Sequence, residues 1–190
     1  MSLHVEKLPM EGNRYTCNDY YSWNDGKRWE LIDGVAYLMS PSPTWKHQGI
    51  SSNLHRQFAN FLYGKPCKIY PAPFDVRLNS DTLDNTVVQP DLVIICDKSK
   101  LDDKGCNGAP EMVVEILSPS TTSRDKVKKF RLYQQAGVRE YWIVDPDSRT
   151  ITIHLLENGK YVTYAFDDED TAPVHVLEGC EINLPDVFAL

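Results

Sequence analysis

An α/β domain, with a mixed β-sheet set between helices, is the fold class this sequence predicts, on three observations. Nearly continuous apolar runs at Val87 to Cys96, Glu111 to Leu117 and Glu140 to Val144 read as strands covered on both faces. Two segments, about Thr44 to Tyr63 and Arg124 to Ala136, repeat apolar residues at helical spacing. The elements follow one another as hairpin, helix, three strands, helix, strand and hairpin.

The first hairpin runs through Trp29-Glu30-Leu31-Ile32 and Val35-Ala36-Tyr37-Leu38-Met39. Asp33-Gly34 between them is a strong tight-turn signal, because glycine readily accepts positive φ. Ser40-Pro41-Ser42-Pro43 then breaks the strand. In the helix that follows, Ile50, Leu54, Phe58, Phe61 and Leu62 form one stripe, and Gly64 with Pro66 ends it. Strands are predicted at Lys68 to Leu78 and Val87 to Cys96, separated by the polar turn Asn79 to Asn85. Gly108-Ala109-Pro110 introduces the strand Glu111 to Leu117, and Ser118-Pro119-Ser120 stops it. Ser123 is the expected cap of the helix Arg124 to Ala136, with Gly137 as its stop. The strand Glu140 to Val144 runs into Asp145-Pro146. A last hairpin pairs Thr150 to Leu156 with Tyr161 to Phe166 across Glu157-Asn158-Gly159-Lys160, and an acidic turn and an extended stretch follow.

With 190 residues, 42% hydrophobic and 25% charged, the chain reads as one globular domain with a core large enough to need no staples. No apolar run is long enough to cross a bilayer, and Met1 to Met10 lacks the apolar stretch of a secretory signal. A cytoplasmic location is the expectation. The five cysteines are odd in number and contain no C-x-x-C pair, so neither a disulfide nor a zinc site is expected. A net charge of −7 argues against a protein that coats nucleic acid through bulk electrostatics. It leaves room for a nucleic-acid enzyme with a local basic patch, or for carboxylates offset by a divalent cation.

Two acids stand where acids are expensive. Asp91 follows Gln89-Pro90 and begins the run Leu92-Val93-Ile94-Ile95, while Glu115 lies inside Met112-Val113-Val114-Glu115-Ile116-Leu117. A buried carboxylate needs a partner, a proton or a metal. Two on neighbouring strands suit a hard cation such as Mg²⁺. The plainer alternatives are a salt bridge from Glu115 to a helix cation, and a loop-capping role for Asp91. The second helix carries Arg124, Lys126, Lys128, Lys129 and Arg131, with Lys126, Lys129 and Tyr133 along one side. Val127 and Phe130 are expected to mark its buried stripe, with Lys129 at the border, able to reach inward. A solvated face with an Asp125–Lys129 pair is the competing reading. His47 shares the stripe of Ile50 and Leu54, so it faces the sheet either as a ligand, base or phosphate contact or as a satisfied core histidine. Glu30 alternates with apolar neighbours and faces either the same site or solvent. There is no phosphate loop, nucleophile elbow or H-E-x-x-H motif. Ser118, Ser120, Thr121 and Thr122 lack a histidine partner nearby in sequence.

Taken in order, Trp29-Glu30-Leu31-Ile32-Asp33-Gly34, Ser40-Pro41-Ser42-Pro43 with His47, Gln89-Pro90-Asp91-Leu92-Val93, Val114-Glu115-Ile116-Leu117-Ser118-Pro119-Ser120, Lys129 with Tyr133, and Gly137 to Pro146 resemble the Uma-two family over about Trp23 to Phe166. That resemblance implies a restriction-endonuclease-like fold of the PD-(D/E)XK superfamily. In it a mixed central sheet is flanked by helices, here with additional N- and C-terminal β-hairpins, and one domain spans residues 1–190. By resemblance Pro90-Asp91 matches the PD element and Glu115 the second acid. Leu117 stands where lysine is usual, and the family takes its lysine from the next helix, here Lys129. The implied chemistry is hydrolysis of DNA phosphodiester bonds. Asp91 and Glu115 would hold Mg²⁺ or Mn²⁺, Lys129 would act on water or phosphate, and His47 would complete the pocket. The alternative is a non-catalytic nucleic-acid-binding or accessory protein that keeps the fold. Assembly as a homodimer is a further open expectation.

Overall fold

The computed structural model describes residues 12–39, 42–79, 84–118 and 123–190. The expectations for Met1 to Met10, Ser40-Pro41, the middle of the Asn79–Asn85 turn, Pro119-Ser120, Thr121-Thr122 and the Ser123 cap side chain lie outside the described residues.

The elements, in chain order, are α1 (Cys17–Ser22), β1 (Trp29–Ile32), β2 (Val35–Leu38), α2 (Trp45–Leu62), β3 (Lys68–Pro71), β4 (Val76–Arg77), β5 (Val87–Val88) and β6 (Leu92–Ile95). They continue with β7 (Leu101–Asp102), β8 (Gly105–Asn107), β9 (Met112–Ile116), α3 (Ser123–Ala136), β10 (Glu140–Asp145), β11 (Thr150–Glu157), β12 (Lys160–Asp167), β13 (Thr171–Pro173), β14 (Glu181–Asn183) and α4 (Leu184–Val187). The central sheet has the order β12-β11-β10-β9-β6-β3, with β9 and β10 parallel and the other pairs antiparallel. A second sheet of short strands has the order β2-β1-β5-β4-β8-β7.

Turn chemistry sets both hairpins. Asp33 and Gly34 adopt φ of 50° and 77°, and Asn158 and Gly159 adopt 49° and 79°. These values match the primed turns that follow strand twist. The two long strands predicted around the Asn79–Asn85 turn each divide. Lys68 to Leu78 breaks at the cis Ala72–Pro73 bond into β3 and β4, and Val87 to Cys96 breaks at Pro90 into β5 and β6. Proline removes a ladder donor, so each break lets the chain pass from one sheet to the other.

The sheet's two faces differ. Leu92, Ile94, Met112, Val114, Ile116, Trp142 and Val144 pack beneath the α2 stripe of Ile50, Leu54, Phe58 and Leu62. The C-terminal segment closes this side with Ala172, Leu177, Ile182, Leu184 and Phe188. It is pinned by Gln57, which exchanges two hydrogen bonds with the Asn183 backbone (3.0 and 2.9 Å). Each such apolar side chain contributes roughly 1.5–3 kcal/mol of burial. On the opposite face, Val93, Ile95, Val113 and Tyr141 pack against Tyr133 of α3 and against Val76 and Val88 of the second sheet.

Two expectations are corrected. Val127 does not mark the buried stripe of α3. It is exposed, and Tyr133 and Phe130 carry the packing instead. Cys67 and Cys96 form a disulfide (S–S 2.06 Å), against the expectation of none. The register Lys68↔Ile95 places these two residues opposite each other one step beyond the β3–β6 ladder. Sequence spacing does not reveal such a cross-strand neighbour. Cys17, Cys106 and Cys180 are free and buried.

At the outer edge of the central sheet, the backbone N–H groups of Tyr161 and Asp167 on β12 donate to the side chains of Gln134 (2.9 Å) and Asp170 (2.9 Å). Among the described residues no helix is long and apolar enough to cross a membrane.

Candidate active site

The site begins with the β6–β9 register. Leu92 pairs with Val114, so Asp91 and Glu115 stand opposite each other one step further on, on the same face of the sheet. Asp91 Oδ2 accepts a hydrogen bond from the Ile116 N–H (2.7 Å), which ties the first acid to the end of β9. His47 reaches the same oxygen from the first turn of α2, with Nε2 at 3.3 Å. Thr44 caps that turn by accepting from the His47 N–H (3.3 Å). The imidazole is buried, and its Nδ1 has no hydrogen-bond partner. Burial pulls the His47 pKa down, but the hydrogen bond to Asp91 and its charge outweigh it, and the net shift is upward.

Helix α3 lays Lys129 and Tyr133, one turn apart, over Glu115. Glu115 Oε1 accepts from Lys129 Nζ (2.9 Å) and from the Tyr133 hydroxyl (2.7 Å). Lys129 also donates to Glu30 Oε1 (3.0 Å), which in turn accepts from the Gln89 N–H (3.0 Å). The ammonium thus bridges two glutamates from different sheets, and a backbone donor two residues before Asp91 holds the far one. The Asp125 side chain of the competing pair lies outside the described residues. Burial pushes the Glu115 carboxyl up to about 7; Lys129 opposes this shift, while the charges of Asp91 and Glu30 add to it. Burial pulls the Lys129 pKa down, but Glu115 and Glu30 outweigh it and hold it above the ordinary value.

Two carboxylates, Glu30 and Glu115, therefore share one ammonium, and a third, Asp91, stands beside Glu115 with His47. Glu30 and Glu115 outnumber Lys129 by one carboxylate, and the charges of Asp91 and Glu30 both press on Glu115. Among the described residues no three His, Cys, Asp or Glu side chains are spaced to chelate a metal by themselves. Mg²⁺ does not need that, because it is held by one or two carboxylates and completes its shell with water and substrate phosphate. The hard oxygens of Asp91 and Glu115 fit such an ion.

The structure brings the four predicted residues together as two adjoining groups, His47 with Asp91 and Lys129 with Glu115, set side by side by the β6–β9 register, and Glu30 joins the second. Sequence reading missed Gln89 and the contact of Tyr133 with Glu115. The i, i+4 spacing of Lys129 and Tyr133 was the available signal, since it puts both on one side of α3.

Comparison with known proteins identifies the family and the fold. Residues 17–185 match the family model Uma2, described as "Putative restriction endonuclease". An uncharacterised protein of Synechocystis sp. strain PCC 6803, slr1290, is 30% identical over 174 residues, covering 90% of this chain and 88% of that protein. A crystal structure described as a putative nuclease belonging to DUF820, from Anabaena variabilis, superposes with a TM-score of 0.75 at 18% identity. That superposition covers 92% of this chain and 98% of the other. At that identity the likeness shows the fold, while the family match extends over nearly the whole chain, and the chain belongs to the Uma2 family.

Proposed function

We propose that this protein hydrolyses DNA phosphodiester bonds with Mg²⁺ or Mn²⁺ held by Asp91 and Glu115. The observation that carries this reading is that Asp91 and Glu115 stand opposite each other on one face of the sheet, with the charges of Asp91 and Glu30 pressing on Glu115 beside a single ammonium, at the two positions where the resemblance puts the PD-(D/E)XK acids. A bound divalent cation supplies Lewis acidity at the phosphodiester and acidifies water near neutral pH.

The chain's own groups do the rest. Glu30 and Glu115 fix Lys129 as a charged ammonium with two of its three N–H donors engaged. The third can orient the attacking water or meet the charge that builds on the phosphoryl oxygens. Tyr133 keeps Glu115 in place from the helix side. His47 orients Asp91 through Oδ2 from the first turn of α2.

The test is a Mn²⁺ titration followed by calorimetry, with plasmid cleavage, on the wild type, Glu115→Gln and Lys129→Met. The wild type is expected to melt higher with Mn²⁺ and to cleave. Glu115→Gln loses both responses, and Lys129→Met keeps the thermal shift but loses cleavage. Equal Mn²⁺ responses in wild type and Glu115→Gln would overturn the metal assignment. A Mn²⁺ response without cleavage would favour an accessory protein that retains the fold.

A further inference from the structure

A cleft of about 470 Å³ opens beside the network, on the second sheet, lined among others by Tyr21, Phe74, Asp75, Gln89, Asp103 and Lys104. Aromatic rings stand with Asp75 and the Gln89 amide and with two further carboxylates, Asp102, which pairs with Arg77, and Asp103; the Asp75–Gln89 pair suits a small planar ligand that carries N–H donors. The polar pair is held in place. Asp75 Oδ1 accepts from the Tyr20 hydroxyl (3.1 Å) and from Gln89 Nε2 (2.8 Å). Arg28 fixes the other end of the Gln89 amide, donating to Oε1 from Nε (3.1 Å) and Nη2 (2.7 Å). Lys104 sits 4.5 Å above the Tyr21 ring at the cleft mouth. Burial raises the Asp75 carboxyl, although its hydrogen-bond donors oppose the shift.

Gln89 belongs to both places. Its side chain lines the cleft, its N–H holds Glu30, and Asp91 follows two residues later. An extended chain covers only about 7 Å in two residues, so a ligand here lies within a nucleotide or so of the candidate metal site.

We infer that this cleft binds one unpaired nucleobase of the substrate strand, beside the phosphate to be cut. Asp75 would read the base through its N–H groups, and Tyr21 and Phe74 would flank the ring. The inference rests on the nuclease reading and adds a substrate class, a strand with an exposed base. A carboxylate accepts from the exocyclic amine of cytosine, the usual partner for Asp or Glu. Thymine offers a single N–H between two carbonyl oxygens, which a carboxylate repels. Base stacking on aromatic side chains adds affinity without sequence preference.

The experiment measures binding of short deoxycytidine and thymidine homopolymers to the full chain in EDTA, where metal-dependent cleavage is absent. The deoxycytidine strand is expected to bind about tenfold more tightly, and Asp75→Asn should erase most of that difference. Photocrosslinking of wild-type protein to a strand carrying 5-iododeoxycytidine, mapped by mass spectrometry, should label Tyr21 or Phe74, and it stands even if Asp75→Asn does not fold. Equal affinities in the wild type, or crosslinks confined to residues outside the cleft, would overturn the inference. A Mn²⁺ response retained alongside equal affinities would break the cleft assignment alone. Base preference retained without any Mn²⁺ response would break the metal reading and leave the cleft standing.

Discussion

Glu115 and Glu140 lie on the adjacent parallel strands β9 and β10, yet they point to opposite faces of the sheet. Glu140 is fully buried and Glu115 half-buried, and burial raises both carboxyls. Glu140 accepts from the Trp142 indole (2.7 Å) and from the Val176 N–H (2.9 Å), with His175 at 3.8 Å. Those donors belong to its own strand and to the segment that closes the α2 side. Glu115 instead receives an ammonium and a phenol while two other carboxylates press on it. One acid is satisfied by structure, and the other sits in a surplus of charge. A buried glutamate is therefore not a functional signal in itself; the balance of charge around it separates the two cases.

The largest test of this contrast is Lys129→Met. Removing the ammonium from between Glu30 and Glu115 leaves buried charge uncompensated, and the metal-free protein should lose about 3 to 5 kcal/mol in urea unfolding at alkaline pH. Saturating Mn²⁺ should recover much of that loss, and at a hundred times its dissociation constant it adds about 2.7 kcal/mol. Recovery in Lys129→Met but not in Glu115→Gln would locate the cation.

Glu140→Gln should come next. An amide can accept only one of the two donors and turns its N–H₂ toward the other, for a loss of about 1 to 3 kcal/mol. Its Mn²⁺ response should match the wild type, and a weakened response would break the comparison.

Acidity sharpens it further. The folded pKa of Glu115, about 7, lies above its ordinary value of 4.5. Protonation therefore favours the native state, and this contribution is present in full below pH 4.5 and is lost as pH rises to about 7. His154 works in the opposite sense. Burial lowers its pKa from 6.5 to about 4, so its contribution holds above pH 6.5 and is lost on acidification. The quantity to measure is thus the difference between wild type and Glu115→Gln across this range. It should shrink under saturating Mn²⁺, whereas the corresponding Glu140→Gln difference should not.

The smallest expected effect is that of Glu115→Gln on the metal-free protein near neutral pH. The amide oxygen still accepts from Lys129 and Tyr133, and the lost attraction is offset by relief from Asp91 and Glu30. Stability should change by no more than about 1 kcal/mol, and a larger loss would place Glu115 with Glu140 as a structural acid.

What could be read from the sequence follows the range of each signal. Asp33-Gly34, the α2 stripe, the β9 run and the α3 helix are set by neighbouring residues, and the structure has them within a residue or two. The acids were visible because carboxylates in apolar strands are conspicuous. Three features depended on distant partners. The Cys67–Cys96 bond needed the β3–β6 register, the role of Glu140 needed Val176, and the role of Gln89 needed Glu30 and Asp75. The short β7–β8 hairpin, in the polar stretch around Lys98 to Asn107, has too few residues for a strand pattern to stand out. Val127 misled because an apolar residue in a helix can face solvent.

The capped edge of β12 bears on how copies of this chain can meet. The strand is eight residues long, contains no proline and has charged side chains only at its ends, which makes it a natural template for another strand. Its outward N–H groups at Tyr161 and Asp167 are nevertheless already occupied by Gln134 and Asp170. A second chain docking there would find only the stretch around Thr163 and Ala165 open, and to extend further it would have to displace two hydrogen bonds made within the molecule. The sheet therefore ends at β12 through its own side chains, and an association of two copies is more readily built on another surface.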